Sequence, residues 1–448
     1  MEGTPGRVQK LAGRLWGEAK GPLYRNAFFI MLSSVIGIGL GFFFWVVFYR
    51  VYRPADAGYG LTLLQTVTFL SGFAHLGLGV GIIRFLPETD DRKALVNSCL
   101  SISGLLGGIL ALAFVLGAGL WTPELAFIQH PVYVVLIVLT GMAYSFAPIL
   151  DSTVVALRRA DVATWRSVLF GLVKIPLPLV FVVWFTGPLG GRMGAYLSIA
   201  VAFGISVLAT GFLFLPRVLD GYFPRPRLSR RRVRPMFGFS VGNWVAGLIG
   251  SGSTLLLPLL IVRVLPAGAE RAAYFYAAFT IAGLLWIIPG ATMTSFLAEA
   301  SQANARRARD ERKAVLLSLA LLVPGIAGMW FAAEIILELF NSGTGVSAIV
   351  EAGITPLRIL SFASIPVFLN GLFGTRVRIR KQVLPLIAAA IVATGVTLGA
   401  GYVLLGTMDI TGLAYAYVIG QAAEMPILWW AGRAPMEAEP VDLQAVPP

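Results

Sequence analysis

"FYRVYRPADAGYG" occupies residues 48–60, and a near echo, "RVLPAGAERAAYFYA", occupies residues 263–277. The first copy follows a stretch from Phe28 to Phe48 with no charged residue, and after each copy the chain turns apolar again. Arginine heads reach water from the end of a buried helix, and a proline stops the helix there. The phrase therefore reads as a turn at a membrane surface, written twice.

The rest of the chain supports that reading. Of 448 residues, 57% are hydrophobic and 13% are charged, about half the charge of an ordinary soluble domain. Apolar stretches of 20 or so residues, enough to cross about 30 Å of hydrocarbon as helices, recur along its length. The predicted fold is all-α, a polytopic membrane protein with about twelve spans. They fall near 27–49, 60–84, 95–120, 132–157, 165–186, 194–216, 237–262, 273–297, 314–334, 354–375, 383–405 and 411–431.

Charge orients these spans. The N-terminus, every second loop and the C-terminus together hold 28 of the 35 Lys and Arg, while the alternate loops hold 5. By the positive-inside rule both termini are expected in the cytoplasm. The net charge of +13 then reflects topology and attraction to anionic lipid. This explains the basic stretch "RLSRRRVR" (227–234) without nucleic acid. Residues 1–26 hold no apolar leader segment. Val8, Leu11, Leu15 and Trp16 share one face of a basic helix that would lie on the membrane surface, the alternative being a frayed tail.

The repetition continues beyond the opening phrase. "GPLGGRMGAY" (187–196) matches "GTMDITGLAY" (406–415), with Gly187, Ala195 and Tyr196 displaced onto Gly406, Ala414 and Tyr415. Basic turns "ALRRADV" (156–162) and "RVRIRKQV" (376–383) sit between the fourth and fifth helices of each half. The expected organisation is a basic N-terminus (1–26), a six-helix bundle (27–216), a basic linker (217–236), a second bundle (237–431) and a tail (432–448). Six is even, so the halves enter the membrane in the same direction, as parallel repeats.

Catalytic patterns are sparse. His75 and His130 are the only histidines, and Cys99 the only cysteine, which rules out an intramolecular disulfide. "ETDD" (88–91) reads as a solvated turn rather than an acidic metal loop. "GIGLG" (37–41) and "GLGVG" (77–81) lie within spans with no strand before them, so their glycines are expected to serve helix packing.

Polar groups inside the membrane are costly and therefore candidate sites. Lys174 lies about 12 Å along the helix from Arg166, just before "IPLP" (175–178), whose prolines break the helix. Asp151 sits at similar depth on the preceding helix, so a structural Asp151–Lys174 ion pair is the alternative to an anion-binding Lys174. His75 and Glu424 are candidates for ion coupling or for ordinary polar packing. Arg25 and Arg84 mark the cytoplasmic ends of the first two helices, and Arg50 and Arg263 the outer ends of the first and seventh. Asn243 heads a polar stripe with Ser251, Ser253 and Thr254 on the seventh helix.

"FYRVYRPADAGYG", "GLGVGIIRF" (77–85), the basic turn after the fourth helix and the restart of the second half resemble the polysaccharide-biosynthesis flippases, the Wzx-like branch of the MOP superfamily. The resemblance spans roughly residues 25–430. It implies two helical bundles around a central cavity and transport of a polyprenyl-diphosphate-linked oligosaccharide between leaflets. It also implies partners: a lipid-linked glycan, membrane lipids and other glycan-assembly membrane proteins. Neither a cofactor nor an enzymatic step is implied. His75 stands where such flippases often carry an acid. Two other readings are a MATE-like multidrug or cation antiporter and an integral-membrane glycan-assembly enzyme. The first calls for buried acids that spans 27–49 and 237–262 lack; the second calls for a large extramembrane loop with paired acids.

Overall fold

A computed structural model of the chain describes residues 37, 39–184, 190–300, 307–341, 348–380 and 382–433. Its helices, in chain order, are α1 (Gly39–Val51), α2 (Pro54–Ala74), α3 (Leu78–Phe85), α4 (Arg92–Leu116) and α5 (Pro131–Ala156). Then come α6 (Ala160–Lys174), α7 (Leu177–Trp184), α8 (Gly190–Ala209), α9 (Arg230–Leu255) and α10 (Leu257–Val264). The last are α11 (Gly268–Ala300), α12 (Arg307–Glu338), α13 (Ala348–Phe362), α14 (Ser364–Ile379) and α15 (Leu384–Gly432). No strand occurs among the described residues.

Seven of the described helical segments are long and apolar enough to cross a membrane, and ten when each bent pair counts as one crossing. Helix α15 has 49 residues, with Asp409 inside it at φ 54°, ψ −151°. That left-handed residue divides the helix where the sequence separates its last two spans. Helix α1 is the described part of the first span. The expectation of about twelve crossings is met on this reading.

The bends have local causes. Leu76 (φ 48°) and Gly77 (φ 69°) take left-handed conformations between α2 and α3, which bend by 48°. Gly77 suits that conformation because it has no Cβ to clash. Pro176 sits between α6 and α7, which bend by 42°. Pro258 opens α10 after a similar bend of 42° from α9.

Outward faces stay apolar. On α12, Phe331 and Ile335 are 82% and 70% exposed. Such residues belong against lipid, and a face wetted by water would carry polar groups instead.

Two compact units divide the chain, interleaved along the sequence. Unit 1 contains residues up to Phe48, Leu70–Ala118 and Ala126–Ser240; unit 2 contains Tyr49–Phe69, Gly119–Leu125 and the chain from Val241 onward. In unit 1, Leu78 and Ile82 of α3, Leu95 and Cys99 of α4, and Leu150 and Val154 of α5 pack with Met236 in one buried core. Gly79 brings α3 close to α5: a Cβ there would lie 2.6 Å from the Ser152 hydroxyl oxygen. The packing role expected of "GLGVG" holds at this position. At Gly37 and Gly39 a Cβ would meet nothing described within 4 Å.

Unit 2 includes both copies of the opening phrase, and they touch. A Cβ on Gly58 would lie 1.6 Å from the carbonyl oxygen of Ala269. Nearby, the Tyr49 hydroxyl donates to the Ala273 carbonyl at 3.0 Å, and Gln65 donates to the Tyr276 hydroxyl at 2.6 Å. The first turns of α2 and α11 are thus packed backbone to backbone. The second echo is looser. Tyr196 is fully buried in unit 1, whereas Tyr415 is 42% exposed and Tyr417 fills the buried place in unit 2.

Candidate functional site

In unit 1, Lys174 is the last residue of α6, immediately before the proline break. Its ammonium stands 5.0 Å from the ring centre of Phe44 and 4.8 Å from that of Phe170. Helix α1 reaches this position because Gly171 admits Leu40: a Cβ on Gly171 would lie 2.5 Å from the Leu40 Cδ1. Two aromatic faces attract the cation, and among the described residues none takes its three N–H donors, which can turn toward an anion.

The Asp151–Lys174 ion pair, the alternative to an anion-binding Lys174, is not the one formed. Asp151 accepts two hydrogen bonds from Arg166, Nε to Oδ1 at 2.8 Å and a terminal nitrogen to Oδ2 at 2.6 Å. A planar guanidinium matches a carboxylate in this two-point fashion. Depth counted from the observed turn separates the candidates: α5 ends at Ala156 and α6 begins at Ala160, so Asp151 and Arg166 lie about 8 and 9 Å from it and Lys174 about 21 Å. Arg166 is 13% exposed and Asp151 35%, so the pair is half-buried and its loss is costly. Arg166→Met is expected to cost about 1–3 kcal/mol, between an exposed and a buried pair. Lys174→Met should stay within about 1 kcal/mol of wild type, and Asp151→Leu with Arg166→Met should recover most of the loss. Thermal unfolding in detergent reads all three. Equal destabilisation by Lys174→Met would refute this pairing.

His75 has a structural task. Its Nδ1 accepts from the Gly77 N–H at 3.3 Å and closes the break between α2 and α3. Arg84, near the end of α3, lies 5.5 Å from the Phe85 ring centre and is exposed. Asp91 caps α4 by accepting from the Ala94 N–H at 3.0 Å, which is the work of a turn residue.

In unit 2, Glu424 accepts from the Asn370 side chain at 2.6 Å, and the same Asn370 nitrogen donates to the Gln421 carbonyl at 2.7 Å. Arg50 donates to the Leu339 carbonyl at 3.2 Å, and Arg263 is exposed at the end of α10. The stripe on α9 is internally satisfied, since Ser251, Ser253 and Thr254 donate to carbonyls three residues back. Arg25 and the Asn243 side chain lie outside the described residues. Sequence reasoning passed over Arg166 and Asn370. Arg166 was used only as a depth marker, and an asparagine amid "PVFLNGLF" (366–373) was a visible signal. Among the described residues no group of three His, Cys, Asp or Glu is placed to hold a metal ion.

A helical chain with broken membrane helices and a lysine beside one break has the architecture of a membrane transporter. Solved structures place it within the MOP superfamily fold. The lipid II flippase MurJ in an inward closed conformation aligns with TM-score 0.67 and 12% identity, over 92% of this chain and 88% of that one. A multidrug resistance MATE family transporter, inward-facing, aligns with TM-score 0.64 and 16% identity, over 88% and 93%. A MOP superfamily transporter from Pyrococcus furiosus, described as having a binding pocket of reverse polarity, aligns with TM-score 0.59 and 15% identity, over 92% and 94%. No curated protein sequence matches significantly. The sequence model of the polysaccharide biosynthesis protein family matches residues 23–296, and the chain belongs to that family.

Proposed function

We propose that the protein is a flippase that carries a polyprenyl-diphosphate-linked oligosaccharide from the cytoplasmic to the outer leaflet by alternating access of its two halves. The observation that carries this reading is family membership over residues 23–296 together with Lys174, a half-buried cation on an apolar helix within 5.0 Å of two aromatic ring centres. Each sugar hydroxyl stranded in hydrocarbon costs roughly several kcal/mol. A polar path removes most of that barrier, while the polyprenyl tail stays in the bilayer. The diphosphate needs cations, and Lys174, Arg84 and Arg25 are the candidates toward the cytoplasmic side. Partner proteins of glycan assembly belong to the same reading. In vesicles bearing the purified protein and a fluorescent lipid-linked glycan, access of an external quencher to inner-leaflet probe should rise at least tenfold over empty vesicles. No acceleration would overturn the reading, and exchange of a cationic dye for protons instead would favour the MATE-like alternative.

The bundles 27–216 and 237–431 are proposed as parallel repeats, with both termini cytoplasmic. The support is the split of 28 basic residues against 5. Reporters fused after residues 90, 160, 225, 310 and 380 should all read cytoplasmic. An external signal at any two would overturn this topology.

A further inference from the structure

Unit 1 contains a cavity of about 600 Å³ between α4, α5, the end of α8 and the linker residues 224–228. Its walls include Gly104, Leu105, Met142, Phe146, Val207 and Phe212, and Arg225 and Arg227 stand at its mouth. We propose that this groove is a binding site for an anionic glycerophospholipid, one acyl chain lying in the groove and the phosphate resting on the two arginines.

The depth fits. Arg92 and Lys93 open α4 at the membrane surface, and Leu105 lies about 18 Å further along the helix axis, within hydrocarbon. The groove also opens toward lipid. Leu105, Leu208 and Phe212 at its rim are 58%, 58% and 46% exposed. Leu105 continues into an exposed apolar stripe on α4 through Ile109, Leu112 and Leu116. An apolar cleft at that depth gains nothing from hiding a chain that is already in hydrocarbon, because lipid tails are as apolar as leucine. A tail fills it for want of any other occupant, and selectivity must come from the headgroup.

The mouth is built for that selection. Asn97 fastens the linker to α4: its amide donates to the Phe223 carbonyl at 3.1 Å, and its oxygen accepts from the Tyr222 hydroxyl at 2.9 Å. Ser101 accepts from the Arg227 N–H at 2.9 Å. These bonds satisfy the polar groups of the wall internally and fix the linker across the groove. Arg225 is exposed and lies 5.8 Å from the Phe223 ring centre. Arg227 pairs with Asp91 at 3.5 Å, yet stays 53% exposed, so its guanidinium has a face open to a second anion. With Arg92 and Lys93 adjacent, four basic residues stand against Glu88, Asp90 and Asp91 of the same turn, which leaves the rim net positive. The basic residues 1–26 would be repelled from it, which leaves an anionic lipid as the occupant that charge favours.

The full-length protein in nanodiscs, with photo-crosslinkable phosphatidylglycerol or phosphatidylcholine diazirine-labelled along one acyl chain, tests this. Phosphatidylglycerol should label peptides of residues 97–105, 142–150 and 205–212 in preference to phosphatidylcholine. Arg225→Gln with Arg227→Gln should lower that preference by about thirtyfold, and because both residues are exposed the fold should persist, as native mass spectrometry of the intact chain would verify. Equal labelling by both lipids, labelling unchanged in the double variant, or labelling that appears only after removal of residues 1–26 would each overturn the assignment. Transport need not be measured, so failure here leaves the flippase reading untouched.

Discussion

Lys174→Met is expected to cut glycan export at least tenfold while the amount of folded protein in the membrane stays at the wild-type level. The stability half of that expectation comes from the surroundings of Lys174. Its ammonium faces Phe44 and Phe170, and the carboxylate at similar depth, Asp151, is already held by Arg166. Removing the lysine therefore strands no buried acid, the usual source of large losses when one member of a pair is deleted. The transport half comes from charge. A diphosphate leaving water needs a cation, and truncating a buried charged contact to a ligand commonly costs about 2–5 kcal/mol, more than tenfold. Lys174→Arg should keep a substantial part of the rate. Replacing Asp151 by Asn beside Lys174→Met should restore nothing, since those two residues are not partners. Wild-type export by Lys174→Met in the vesicle assay would remove Lys174 from the transport path.

The second large effect is structural. Gly58→Ala is expected to abolish stable folding, or to lower the unfolding midpoint by an amount worth more than about 3 kcal/mol, the upper end of ordinary overpacking. The added carbon would sit 1.6 Å from the Ala269 oxygen, 2.4 Å from its carbonyl carbon and 3.1 Å from its Cα. All three are backbone atoms, which cannot rotate aside, so the first turns of α2 and α11 must separate. Gly399→Ala supplies the comparison within the same chain. No described neighbour lies within 4 Å of a Cβ there, and position 399 is inside α15. Alanine gains about 1 kcal/mol over glycine in a helix interior, so that variant should be neutral or slightly stabilised. Detergent-extracted protein run on size exclusion, with thermal midpoints, separates the two cases. A Gly58→Ala protein as stable as wild type would mean that the two turns do not pack as described.

The crossings were legible because length and apolarity are one-dimensional properties: a run either suffices to span hydrocarbon or it does not. The break at Pro176 was legible too, since proline carries its geometry with it. The left-handed residues Leu76 and Asp409 were not, because neither residue type announces that conformation. The polar partners failed for a different reason. Depth was counted from Arg166 as if it marked the membrane surface, whereas α6 begins six residues earlier at Ala160. Hence Lys174 was weighed as the partner of Asp151, when Arg166 is the residue at its level. Glu424 was recognised as an intramembrane acid, but its neighbour Asn370 lies 54 residues away in sequence, and no spacing rule joins them.

The doubled phrase was visible from the first reading, but not that its copies touch. Counting from the proline they share, Gly58 is the fifth residue of its copy and Ala269 the fourth. Residues of almost equal rank meet where a rotation that exchanges the copies has its axis, as in the self-complementary interface of a symmetric homodimer. In two identical subunits, any substitution at such a seam would strike both sides at once, and both sides would have to tolerate it. Two copies written in one chain are free of that constraint. Rank four is alanine in both copies, Ala57 and Ala269, but rank five is Gly58 in one and Glu270 in the other, so only one of the two equivalent contacts keeps the bare glycine that admits a carbonyl.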